Sequence, residues 1–389
     1  MPQQKLLQPP MLLLAVGGFL AVATEVLPIG LLPLMAEDLG VTESLIGLLV
    51  SAYAAVVVFA SIPLNAWTSA LPRKPLLVGL LAGYGLSNVI LCLAQDYSVA
   101  LTGRVIAGAC HALFFAVVFG YATRLAPPGR MGAAVALVNA GNAVAIAVGV
   151  PLSTWLGATV GWRWSFGCAA IIALLLAVGA AVVMPAIRGS AVSGGTQLKE
   201  ALAEPALRRV IVAVVVMMTG QFALYTFITP VLVQPGFTAT NVGFALLAYG
   251  GAGVLGLLLC SRLTDTALRP ALLLSLLVMT GCFLAIALLG GAPAWTLAAV
   301  IVWGLLYGPV PSYVTTAALS AFRDHPDTVA AVHNSTFNIG ISAGALVGAQ
   351  MLLVGDPSVI GFAAAALTLL ALVVVFTGAR QGFPRMSPK

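Results

Sequence analysis

Charge is what this chain has least of: 7% of its 389 residues are Asp, Glu, Lys or Arg, against 61% that are hydrophobic. No single buried core under a soluble surface absorbs that ratio, so the composition excludes an ordinary globular protein and indicates one that uses lipid as its solvent. Cysteine is scarce too. Cys92, Cys110, Cys168, Cys260 and Cys282 lie singly in different apolar segments, which excludes a disulfide framework or cysteine-held metal cluster and leaves small packing residues. Enzyme motifs are missing: there is no H-E-x-x-H, no G-x-x-x-x-G-K-[ST] and no catalytic aspartate pair. Gly340-Ile341-Ser342-Ala343-Gly344 does fit G-x-S-x-G. A hydrolase needs that serine between a strand and a helix, however, and here it lies wholly inside an apolar run with no acidic neighbour. Neither an enzyme nor a cofactor is expected.

What the chain has in quantity is long apolar runs. Twelve segments reach spanning length, at 11–36, 44–67, 75–94, 98–123, 131–158, 164–187, 207–232, 241–264, 271–290, 293–320, 327–354 and 357–378. The expectation is an all-α membrane protein of twelve transmembrane helices, with both termini on one side. Fifteen of the 17 Lys and Arg fall in the tails or the even-numbered loops, while the opposite loops carry Glu37, Asp38, Glu43, Asp96 and Asp356 with Arg163 as their lone base. Both termini are therefore expected in the cytoplasm. The net charge of +6 follows from that topology, and no basic patch is left over for a nucleic acid. Lys5, an apolar run and Ala21-Val22-Ala23 imitate a signal peptide, yet the run continues to Ala36, so a first span is expected instead.

The chain also repeats itself. VTESLIGLLVSAY (41–53) aligns without a gap to FTATNVGFALLAY (237–249), an offset of 196 that also sets Arg73 on Arg269, Gly108 on Gly304 and Asn142 on Asn338. Six spans duplicated in one orientation give an N-terminal six-helix bundle over 1–187 and a C-terminal one over 207–389, facing each other across a cavity. Between them runs a polar cytoplasmic linker, 188–206, Gly/Ser-rich and then helical at the surface.

ATEVLPIGLLP (23–33) places Glu25 inside the first span, where a charge costs on the order of 2.5 kcal/mol or more. Of the 11 acidic residues it alone lies deep in a span, and of the 17 basic ones only Arg104 does. At ~1.5 Å per residue, Arg104 is ~10 Å in from Tyr97 and Glu25 is ~16 Å in from Ala36, so their depths can match. A charged pair facing water is the least costly way to hold either group, and it yields a carboxylate whose proton affinity changes as the cavity opens to each side. His111, seven residues after Arg104, shares its helical face and is a candidate to shuttle protons or bind substrate. A plainer alternative has Arg104 snorkelling outward, Glu25 in a local polar contact and His111 bonded within the bundle. With the one deep acid assigned, a cationic substrate finds no partner, so small neutral molecules are expected. Their contacts would come from Asn139 and Asn142 in the fifth span, Asn334 and Asn338 in the eleventh, Gln221 and Tyr225 in the seventh, and Tyr307 in the tenth. The amides serve equally well as bonds between helices.

ATEVLPIGLLP, GRVIAGACHALFF (103–115), GVPLSTWLGATVGWRWSFG (149–167) and HNSTFNIGISAGALVG (333–348) resemble stretches of the major facilitator superfamily, and the resemblance covers nearly the whole chain. Within it the chain is most similar to bacterial twelve-span drug:proton antiporters, particularly the sugar (arabinose) efflux permease branch. The resemblance implies two domains rocking about a midplane site, export of sugars or drug-like compounds driven by the proton gradient, a bacterial inner membrane and a monomer. Arg104 with Gly108 matches the fourth-helix motif associated with proton transfer. Gly149 and Pro151 resemble the antiporter motif with Val150 inserted, and a kinked, tightly packed helix is its physical content. NAWTSALPRK (65–74) keeps Arg73 and Lys74 of the family's G-x-x-x-D-R-x-G-R-K but has Ser69 in place of the acid. SRLTDTALRP (261–270) keeps Asp265 and Arg269, so the implied cytoplasmic latch is lopsided, and the same bases serve simply as topology determinants. Gly340, Gly344 and Gly348 form a small-residue ladder fit for a packing seam. Two other classes stay open at this point: proton-coupled uptake of a small polar metabolite, and a passive channel or scramblase needing neither Glu25 nor Arg104.

Overall fold

Lipid offers no hydrogen bonds, so an apolar run of spanning length must close its own backbone, and a helix does this within one segment. The computed structural model describes residues 8–127, 130–189, 195–234, 236–260, 267–289, 292–322, 326–378 and 382–383, and every element among the described residues is helical. Among the described residues, twelve helical spans are long and apolar enough to cross a membrane. The first six are α1 (Pro9–Leu39), α2 (Glu43–Thr68), α3 (Arg73–Cys92), α4 (Tyr97–Leu125), a fifth in three pieces, and α7 (Trp162–Val183). The fifth consists of α5 (Met131–Val144), a π turn (Ala145–Gly149) and α6 (Val150–Val160). After a short helix in the linker, α8 (Gly195–Ala203), come α9 (Pro205–Thr226) with its extension α10 (Ile228–Val233), α11 (Ala239–Cys260) and α12 (Leu268–Leu289). A broken tenth span, α13 (Pro293–Tyr307) and α14 (Val310–Ala321), leads to α15 (Pro326–Val354) and α16 (Val359–Thr377).

The interruptions fall where the backbone loses a donor. Pro151 has no N–H to offer the preceding turn, and the chain accommodates this by widening into the π turn just before it. Pro309 and Pro311 divide α13 from α14 in the same way. Between α6 and α7 the chain reverses at Gly161, whose φ of 101° is open to glycine and costly for any side chain.

Two compact units emerge, Met1–Thr42 with Ala52–Val192, and Glu43–Ser51 with Ser193–Lys389. In the first, α1 packs against α4, α5, α6 and α7, and α3 against α4 and α7. In the second, α9 packs against α15 and α16, α11 against α13, and α12 against α13 and α16. The start of α2 groups with the second unit because its serines bond there: Ser44 donates to the Ala349 carbonyl at 2.9 Å, and Ser51 and Ser342 each donate to the other's carbonyl at 3.0 Å.

The 196-residue offset is visible as packing. Pro9 and Pro205 both open their helices in the first turn, where a missing N–H costs nothing. A Cβ added at Gly108 would meet the Tyr53 carbonyl at 2.8 Å, and one at Gly304 would press on the Tyr249 carbonyl. Each glycine thus lets its helix close on the backbone of the corresponding tyrosine.

Along α15, Gly340, Gly344 and Gly348 face α9, and a Cβ at Gly344 would lie 2.6 Å from the Thr219 carbonyl oxygen and 2.9 Å from the Ala223 nitrogen. Main chain cannot rotate out of the way, so a side chain there must part the helices. Gly344→Leu is expected to cost about 1–3 kcal/mol or more and lower the thermal midpoint in detergent by several degrees. Gly79→Leu, whose Cβ would meet nothing within 4 Å, is the control and should melt like the wild type. Equal midpoints for the two variants would show that the seam is loose.

Candidate functional site

Glu25 lies three residues before Pro28 on α1. Because Pro28 has no N–H, the Thr24 carbonyl four residues back loses its helical partner in the interior of an apolar span. Arg104 of α4 supplies the replacement. Its Nη1 donates to the Thr24 carbonyl at 2.6 Å and its Nη2 to the Glu25 carbonyl at 2.7 Å. The guanidinium is wholly buried, with its central carbon 4.3 Å from the centre of the Tyr53 ring of α2, a cation over an aromatic face. Asn88 of α3 adds a donor to the Thr24 hydroxyl at 3.2 Å. Arg104 thus does not snorkel to either surface.

The Glu25 carboxyl points to a different neighbour. Its Oε2 is 4.0 Å from His111 Nε2, and its Oε1 is buried with no hydrogen-bond partner. His111 is itself held from behind, Nδ1 lying 2.6 Å from the Tyr53 hydroxyl, with the two rings edge to face at 5.3 Å. The structure therefore brings Glu25, Arg104 and His111 together in the first unit, as their spacing led one to expect. The contacts differ from a simple carboxylate–guanidinium pair: two guanidinium N–H groups serve the main chain, and the imidazole faces the carboxyl. Tyr53 joins them, although in the sequence it reads as an ordinary core aromatic. The π turn also reaches this place, a Cβ at Gly149 meeting that of Ala23 at 3.5 Å, two residues from Glu25.

Carried 196 residues on, Glu25 becomes Gln221, Tyr53 becomes Tyr249 and His111 becomes Tyr307. In the second unit Gln221 is buried with both ends bonded, its Nε2 donating to the Tyr249 hydroxyl at 2.9 Å and its Oε1 accepting from Trp303 Nε1 at 2.7 Å. Tyr225 lies against Tyr249 at 5.2 Å with the rings tilted by 31°, and meets Trp303 edge to face. Tyr307 directs its hydroxyl at Met218 Sδ, 3.7 Å away. The second unit repeats the positions of the first and replaces its proton-labile groups with a closed knot of amide and aromatic side chains.

The asparagines divide by exposure. Asn139 and Asn334 are exposed, and Asn142 and Asn338 are more deeply set. Asn142 Nδ2 donates to Asn139 Oδ1 at 3.3 Å, and Asn338 Nδ2 to the Asn334 carbonyl at 3.0 Å. The Oδ1 atoms of Asn142 and Asn338, which correspond across the repeat, are both buried without a partner.

The remaining expected residues lie at helix ends. Arg73 bonds through its main-chain N–H to the Ile187 carbonyl at 2.8 Å and through Nη2 to the Ser69 carbonyl at 3.0 Å, with Lys74 half-buried beside it. Arg269 donates to the Phe376 carbonyl at 2.7 Å and Arg209 to the Thr377 carbonyl at 3.0 Å, so two cations meet the C-terminal dipole of α16. Asp265 is outside the described residues. His333 was not anticipated; its Nε2 is 2.9 Å from the Thr315 hydroxyl.

Comparison with known proteins agrees with this architecture. The family model "Major Facilitator Superfamily" matches residues 14–345. Chloramphenicol efflux pumps of two Mycobacterium tuberculosis strains are 31% identical over 345 residues, covering 86% of this chain and 84% of theirs. A Pseudomonas aeruginosa protein named as the transcription regulatory protein OpdE is also 31% identical, over 96% of this chain and 94% of its own. Among solved structures, a bacterial homologue of the human lysosomal transporter Spinster, inward-facing and occupied, superposes with a TM-score of 0.73 at 15% identity, covering 97% of this chain and 98% of that one. The human organic anion transporter MFSD10 gives 0.69 at 17% identity, covering 95% and 100%.

Proposed function

Because the chain belongs to the Major Facilitator Superfamily, we propose that it is a secondary transporter exporting small, mostly neutral molecules in exchange for protons, with Glu25 carrying the proton. The supporting observation is the condition of that carboxyl: it is buried within a spanning helix, one oxygen has no partner, and the nearby guanidinium is engaged with the main chain. The charged and neutral forms of a carboxyl so placed differ greatly in energy, so any change in its wetting is a change in proton occupancy. Coupling requires that link between conformation and protonation.

The direction rests on kinship with chloramphenicol efflux pumps. Neutral substrates suit a chain with no second deep acid. In each unit taken by itself, the unpartnered Oδ1 of Asn142 in the first and of Asn338 in the second is an acceptor suited to a substrate hydroxyl or N–H group, with Asn139 and Asn334 about one turn away along the same helices. Gln221 and Tyr225 are instead engaged with Tyr249 and Trp303. The distribution of basic residues supports a cytoplasmic location for both termini and α8. On this proposal the membrane is a bacterial inner membrane and the protein acts as a monomer.

Everted membrane vesicles test the transport reading. With an acid lumen they should accumulate labelled chloramphenicol, or another neutral compound from a panel, and release it when an uncoupler is added. Accumulation only with an alkaline lumen would mean uptake, and flux indifferent to the gradient would mean a passive pore. Orientation is tested separately. In a cysteine-free background, Glu200→Cys on α8 should resist an impermeant thiol reagent in intact cells and react in everted vesicles, and labelling from outside the cells would reverse the topology.

A further inference from the structure

Corresponding tyrosines in the two units use their hydroxyls differently. Tyr249 bonds directly to Gln221, the counterpart of Glu25, at 2.9 Å, closing the knot with Trp303. Tyr53 instead contacts His111 Nδ1 at 2.6 Å, and the Glu25 carboxyl is left with one unbonded oxygen and the other 4.0 Å from Nε2. Tyr53, His111 and Arg104 are each buried to 4% exposure or less, so no bulk water competes for these groups. The same position that in the second unit completes a fixed structure is, in the first, diverted onto an imidazole.

We propose that Tyr53 is a positioning residue for proton exchange: its hydroxyl donates to His111 Nδ1, fixes the proton of the neutral imidazole on Nε2, and so presents a donor to Glu25 when Glu25 is charged. The alternative tautomer would set a nitrogen lone pair against the carboxylate, which is repulsive. At 4.0 Å the Nε2–H is about 1 Å beyond hydrogen-bond reach, so the contact tightens when the carboxylate forms and relaxes when it takes a proton. The one covalent change is the O–H bond that Glu25 makes with a proton from water reaching it on one side and gives back to water on the other. Everything else is a change of hydrogen bonds, and the imidazole remains neutral throughout. The other titratable groups interacting with Tyr53 are Tyr84, Arg104 and Cys110, and none of them lies between the imidazole and the carboxyl in the contacts described above. The proposal rests on the proton-coupled reading of Glu25.

Two measurements on the full-length protein separate it from that reading. In proteoliposomes with chloramphenicol as probe, Tyr53→Phe should lower gradient-driven accumulation about tenfold, the effect of one ordinary hydrogen bond, while counterflow exchange, which moves no net proton, stays within roughly twofold of wild type. Tyr249→Phe, the control in the second unit, should change both fluxes in parallel or neither. Equal losses of drive and exchange in Tyr53→Phe, or no loss of drive, would overturn the proposal. Should that variant fail to fold, nitrogen-15 NMR of His111 in the wild type decides: Nδ1 unprotonated and hydrogen-bonded is expected, and a proton on Nδ1 contradicts the assignment. A wild type whose accumulation ignores the gradient would instead refute the proton-coupled reading, leaving the tautomer readable by NMR.

Discussion

Glu25→Gln is expected to reduce gradient-driven accumulation to the level seen without a gradient, while counterflow exchange and folding survive. Glutamine keeps the size of the side chain and its hydrogen-bonding capacity and removes the ability to take up and release a proton. The variant should also resemble its own repeat, since Gln221 already occupies the corresponding place in the second unit without disturbing the fold. Of all single substitutions this one should produce the largest change in coupling for the least change in structure. Continued accumulation of substrate against its gradient, driven by pH, would remove Glu25 from the mechanism.

Arg104→Ala should have the largest effect on stability. It strands the Thr24 carbonyl, which Pro28 leaves without a helical donor, in a fully buried site, and it removes a second donor from the Glu25 carbonyl, whose helical donor four residues on is not a proline. A hydrogen bond from a charged donor contributes ~1.5–3 kcal/mol, so the loss is about that for Thr24 with a smaller share from Glu25. Arg104→Lys should fail as well, because one ammonium on a flexible stem does not reproduce a planar fork aimed at two carbonyls and lying over Tyr53. The cause assigned to this loss has its own check. Pro28→Ala restores an N–H for the Thr24 carbonyl, so adding it to Arg104→Ala should recover about 0.5–1.5 kcal/mol of stability, read as thermal midpoint in detergent, without recovering transport. Additive losses in the double variant would mean that Arg104 does not answer the proline break.

The spans and the duplication were legible from the sequence because both are written in composition. Apolar runs twenty residues long have few alternatives to a helix in lipid, and a constant offset that sets the second to fifth spans on the eighth to eleventh marks one unit used twice. The grouping of Glu25, Arg104 and His111 was also legible, since isolated polar residues at matching depth on helical faces have few places to go. Their actual partners were not. That Arg104 serves main-chain carbonyls depends on how α4 crosses α1 at Pro28, which no local pattern encodes. Tyr53 was hidden by its own chemistry, an aromatic in an apolar helix being unremarkable until its hydroxyl is seen 2.6 Å from a histidine. The repeat held a clue that local reading passes over: the aligned stretches both end in Tyr, and the same offset sets a glutamine against the first span's one acid. The π turn at Ala145–Gly149 shows the same limit, for Gly149 and Pro151 announce a kink without saying whether the helix bends, breaks or widens.

The most direct measurement of the central claim is proton release on substrate binding by the purified protein. In lightly buffered detergent solution, adding a transported compound to the wild type should release protons, at most one per chain because a single carboxyl lies deep in the spans. The release should be absent from Glu25→Gln at substrate concentrations that still saturate binding. Equal release from the Gln variant, or saturable binding to the wild type with no release at any pH, would contradict an exchange in which substrate and proton compete through Glu25.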